Sequence, residues 1–217
     1  MKVFAVAASA LLIGLGTATV RQDSVPFSRT YKEGEKIVYA ATQSINFGGE
    51  QKISLDIEMM VAKAVDTGGA DLAVHMSNLQ LSANNSATLP PDFVLHVRAN
   101  NMPDKFSPTM GNVDFLALLL QLASFTPDKP VKVGDIYPVV WKNGTMGFEG
   151  SGTILEISSD KKTIKTSTKV QVDFNGQAAG DFTFTGTFDA GNGSLVESKG
   201  EFSLGPQEFT FTRKPTG

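Results

Sequence analysis

The chain contains no cysteine. That excludes disulfides, thiolate metal sites and a lipid carried on an N-terminal cysteine. Histidine is nearly absent as well, with His75 and His96 the only two. Lysine and arginine form no block, the net charge is −3 and the sequence pI is about 5.4. Nucleic acid is therefore a poor partner, because phosphate neutralisation takes clustered cations. No G-x-S-x-G, H-E-x-x-H or phosphate-loop pattern occurs. Beyond the first 15 residues no apolar run approaches the ~20 residues of a membrane-spanning helix.

That first stretch has its own logic. Met1-Lys2 is basic, Val3 to Leu15 is apolar, and Gly16-Thr17-Ala18 is small. This is the layout of a secretory signal peptide, too short to span a bilayer; a buried N-terminal strand is the alternative. The expected boundaries are 1–18 signal peptide, with cleavage after Ala18, 19–34 extended lead-in, and 35–217 a single β-sheet domain. The expected location is secreted or periplasmic. About 200 residues bury an adequate core without disulfides.

What the chain has in quantity is strand alternation. In Ala179 to Asp189, Phe182, Phe184 and Phe188 share one parity, and Thr183, Thr185 and Thr187 the other. Successive strand side chains point to opposite faces, so one face is greasy and one wet. Similar alternation runs through Ile37–Phe47, Ile53–Val61, Leu72–Met76, Phe93–Val97 and Tyr137–Trp141. The parity change from Met76 to Leu79 predicts a bulge near Ser77-Asn78.

Turn dipeptides give registers. A Gly48-Gly49-Glu50 loop would place Ile45 opposite Ile53 and Tyr39 opposite Met59. A loop at Asn175-Gly176-Gln177 would place Phe174 by Ala178 and Val170 by Phe182. One at Gly191-Asn192-Gly193 would set Phe188 by Val196 and Phe182 by Phe202. A Gly205-Pro206 turn would pair Leu204 with Gln207, Phe202 with Phe209, and Gly200 with Phe211. Small residues (Gly150, Gly152, Thr166, Thr168, Gly186, Ser198, Gly200) then fall in a row, predicting a sharp curl or a trough.

The β rhythm breaks once. Asn112, read as an N-cap, precedes a mostly apolar helix from Phe115 to Phe125 that Pro127 ends. Its polar stripe, Asp114, Ala117, Gln121 and Ser124, is narrower than a surface helix wears. The predicted fold is mainly β: a strongly curved antiparallel sheet or partly open barrel of about ten strands, with one apolar helix against the inner face.

Few residues invite chemistry. Both histidines lie off the apolar parity and read as surface side chains. The Asp189–Ser194 loop lacks the spaced carboxylates of a calcium site. The patterns at Asn84, Asn143 and Asn192 match glycosylation acceptors, and at the last two Asn-Gly turn chemistry explains them. No catalytic residue, metal or cofactor is expected. The leading expectation is a non-enzymatic binding module holding a lipid-like or other apolar ligand between sheet and helix, walled by Leu116, Leu119, Leu120, Trp141, Phe182, Phe184, Phe202 and Phe211. The competing expectation is a structural or protein-interaction domain, with another envelope protein as partner and those same side chains filling the core.

The element P-D-K-P-V-K-V-G-D-I-Y, Pro127 to Tyr137, resembles one in uncharacterised secreted bacterial β-sheet proteins. F-D-A-G-N-G-S-L, Phe188 to Leu195, is similar to a hairpin of the same group. The resemblance implies an N-terminal β-half, a helix, and a C-terminal meander, and carries no catalytic residues. The helix-on-concave-sheet arrangement also looks like that of periplasmic lipoprotein carriers, an analogy of fold alone.

Overall fold

The structure is a computed structural model that describes residues 24–46, 50–82, 86–106, 108, 112–203, 205 and 207–215. The expected signal peptide and its cleavage point, the Gly48-Gly49 loop, the Asn84 acceptor and the Leu204 and Pro206 positions lie outside the described residues.

Among the described residues there are twelve strands and one helix: β1 (Val25–Phe27), β2 (Lys36–Asn46), β3 (Glu50–Ala64), β4 (Ala70–Leu81), β5 (Phe93–Val97), α1 (Phe115–Ala123), β6 (Lys129–Val131), β7 (Ile136–Asn143), β8 (Met146–Ile157), β9 (Thr163–Phe174), β10 (Gln177–Asp189), β11 (Leu195–Phe202) and β12 (Gln207–Arg213). Ten form one antiparallel sheet in the order β5-β4-β3-β2-β12-β11-β10-β9-β8-β7. The order has two ends, β5 and β7, so hydrogen bonding does not close the sheet. On β10 the phenylalanines are buried while Thr183 and Thr185 face solvent, as alternation requires.

All four hairpins depart in part from the expected registers. Asn175 and Gly176 both have positive φ (55° and 76°) and form a two-residue turn, so Phe174 pairs with Gln177 rather than Ala178. A bulge between Ala178 and Gly180 restores the frame, and Val170 meets Phe182 as expected. A second bulge sets Phe188 against Leu195 instead of Val196, while Phe182 still meets Phe202. In the last hairpin Phe202 pairs with Gln207, Gly200 with Phe209 and Ser198 with Phe211. In the first, Ile45 pairs with Gln51 and Tyr39 with Ile57. Both of these hairpins slip by two residues, which keeps every side chain on its face. The bulge at Asn78 is present, with φ of 55° and a break in the β3–β4 ladder.

Residues 24–34 hold more than an extended lead-in. β1 pairs antiparallel with β6, and Val25 and Phe27 are buried in the core. The Phe27 ring meets Phe188 edge-on, centroids 5.0 Å apart. Their small number of apolar positions hid this strand from periodicity.

Two turns of one design follow these short strands. Lys32–Glu35 and Lys132–Asp135 each carry a positive-φ glycine third, Gly34 and Gly134. In each, the glycine N–H and the acidic residue's carbonyl grip the next hairpin, at Val61 and at Ile154 respectively. The acidic side chain of each accepts from its own lysine N–H.

Helix α1 lies on the buried face. All nine of its residues are buried, Gln121 included. Phe115 reaches Phe182 of β10, and Gln121 reaches Met59 of β3. The N-cap position is Asp114 and makes no side-chain cap, so the expected Asn112 cap is not the one used. The described core is one cluster that includes the helix.

Candidate functional site

Phe182 is the hub of the aromatic face beneath α1. Its ring lies 4.3 Å from Phe202, 5.6 Å from Phe209, 5.8 Å from Phe184, 6.4 Å from Phe115 and 6.5 Å from Phe148. Trp141 joins through Phe148 at 5.4 Å, and its Nε1 donates to the Pro103 carbonyl at 2.7 Å. Seven of the eight expected wall residues, Leu116, Leu119, Leu120, Trp141, Phe182, Phe184 and Phe211, are at most 2% exposed. Only Phe202 is half-buried.

The row of small residues is where neighbouring atoms come in. Tyr137 of β7 lies over Gly152 directly opposite, and Phe184 lies over Gly200. A methyl group at either glycine would overlap the ring. At Gly150 it would overlap the Lys169 carbonyl. At these three glycines the space is taken by a ring or by backbone, while Thr166, Gly186 and Ser198 line an open cleft of about 400 Å³.

The histidines sit on the outer face. His96 pairs with Asp71 and His75 with Asp92, each at 2.7 Å, and both rings are more than half exposed. The pairs flank Ala73 and Val94, two positions along the same strand pair. Among the described residues no group of three or more His, Cys, Asp or Glu could hold a metal.

A cavity of about 30 Å³ with a mixed wall lies beside α1, lined by Arg29, Tyr31, Asn101, Gln121 and Ser124 and by apolar side chains including Met59, Val61 and Leu72. Arg29 is buried, 3.0 Å from Glu35, with its guanidinium 4.6 Å over the Tyr31 ring. Tyr31 donates to Asn101 Oδ1, and Asn101 to the Ser124 carbonyl. Burial raises the Tyr31 pKa, with Arg29 pulling it down in part. Burial pushes Tyr39 up to about 12, again against Arg29 and Arg213. Tyr137 is raised by burial too, against Thr168 and Thr166 nearby, and its hydroxyl meets no group in hydrogen-bonding geometry.

Comparison with known proteins gives little. No family model and no curated protein matches the chain. A solved structure from Bacteroides fragilis, a candidate exported protein with a YmcC-like fold, is similar at 12% identity and a TM-score of 0.42. The match covers 88% of this chain and all of that one. A likeness that faint supports no inference about function.

The sequence reading missed the Arg29–Tyr31–Asn101 cluster. Gln121, the lone polar residue inside F-L-A-L-L-L-Q-L-A, was its one legible signal.

Proposed function

We propose that this protein is an exported, non-enzymatic β domain with a filled core, working through its surface by contact with another envelope protein. One observation carries the reading. The side chains that would wall an apolar pocket pack on one another and on a helix with no exposed face. Apolar surface lies outside instead, at Ile136 and Val140 of edge strand β7, 67% and 51% exposed. The export half of the proposal rests on the composition of residues 1–18.

A curled sheet belongs to the same reading. Trp141 and Asn143 of β7 donate to the carbonyls of Pro103 and Phe106, in the segment that leaves β5. Side chains of one sheet edge thus reach chain emerging from the other.

The competing reading, an apolar ligand, has one observation in its favour. Phe202 lines an open cleft of about 440 Å³ with Ile45, Gln207 and Glu208, a volume within the usual range for ligand sites. Native mass spectrometry after mild purification separates the two. The filled-core reading expects the bare mass of the chain and no saturable uptake of a fluorescent fatty acid. A co-purified lipid mass, or uptake abolished by Phe202→Ser, would replace it with the ligand reading.

A further inference from the structure

We propose that the cavity beside Gln121 is an internal hydration site, holding one or two water molecules that hydrogen-bond the Gln121 side chain. Gln121 is 1% exposed, and its Oε1 meets no donor from the protein. Its Nε2 faces Met59 Sδ at 3.2 Å, a weak acceptor. Buried amide oxygens in native proteins are almost always satisfied, by protein or by ordered water. The neighbouring cavity supplies the means.

Size and lining choose the occupant. About 30 Å³ accommodates one or two waters, each needing roughly 10–15 Å³. Apolar cavities of this kind stay dry, but a water with two to four polar partners is stable. Arg29, Tyr31, Asn101 and Ser124 share the wall with Gln121. A buried guanidinium disfavours a cation there, and organic ligands are too large.

The polar side chains of the wall are held in place by their own contacts. Arg29 donates to the carbonyls of Thr30 and Asn192 and pairs with Glu35, while Tyr31 is tied to Asn101. Water held there joins α1 to the N-terminal segment through polar contacts.

The test combines high-resolution crystallography of the chain with water–protein NOE measurements. The expected result is density for one or two waters, one within hydrogen-bond distance of the Gln121 amide, and a water NOE to that amide. Both are lost in Gln121→Met, which keeps the volume and removes the amide. In Arg29→Ala the density stays and the NOE weakens as exchange speeds up. A dry cavity in the wild type overturns the proposal, as does density of a heavier ion beside Arg29, or water unchanged in Gln121→Met. Should Gln121→Met not fold, the wild-type density and NOE decide alone.

Discussion

Single residues show best how burial acts here. The chain has three tyrosines, and the folded environment of Tyr31, Tyr39 and Tyr137 raises the pKa of each. A raised folded-state pKa contributes stability that is fully present below the unfolded value of about 10. That contribution is lost as pH climbs toward the folded value, about 12 for Tyr39. Absorbance at 295 nm is expected to stay flat through pH 10 and then rise together with loss of near-ultraviolet circular dichroism. Smooth ionisation near pH 10 in a still-folded protein would contradict the burial. Gly152 gives a second prediction at this scale. Gly152→Ala places a methyl group in the Tyr137 ring, and urea unfolding is expected to register a loss of ~1–3 kcal/mol, the usual cost of overpacking. No count of apolar residues foretells this, because the reason for glycine lies on the neighbouring strand.

Elements were legible to different degrees. The β10 pattern, the β7 alternation and the Asn78 bulge are readable because each is set by its own side chains. Registers were less so. The Asn175-Gly176 turn and the bulge after Ala178 cancel, and only their sum shows in the apolar pattern. β1 escaped altogether: three residues, V-P-F, carry no period, and the strand exists because β6 and the Phe188 ring are there to receive it. Its weight in the core is testable. Phe27→Ala is expected to cost ~3–5 kcal/mol in chemical denaturation, as for a fully buried ring. A cost below ~1 kcal/mol would make β1 an ornament. The paired Lys32–Glu35 and Lys132–Asp135 turns were visible only in hindsight, since two short polar strings a hundred positions apart look unremarkable until their hydrogen bonds coincide.

At the scale of the molecule, the sheet is two meanders joined where β2 lies against β12. Pro138 sits in edge strand β7, where a missing N–H costs no ladder bond and discourages pairing with another chain. The other edge, β5, is covered in part by a bridge from Val97 to Pro103. The overall class and helix were readable from patterning. The filled interior was not, because the same leucines and phenylalanines serve a plug or a pocket equally well. The joint also makes a prediction. A chain ending at Ser203 strips the partner from both β2 and β11. It is expected to aggregate, by light scattering, and to lose cooperative unfolding. A monomeric, cooperatively folding product would mean that the meanders are independent.

That central joint sets a timetable. Residues 36–46 leave the ribosome early and pair with residues 207–213, which leave it late. Until then the first meander waits with an open flank, and long-range pairing of this kind is slow. A chain threaded across a membrane from its N-terminus would face the same delay on the far side. Shielding by a holding chaperone would be needed most in that interval.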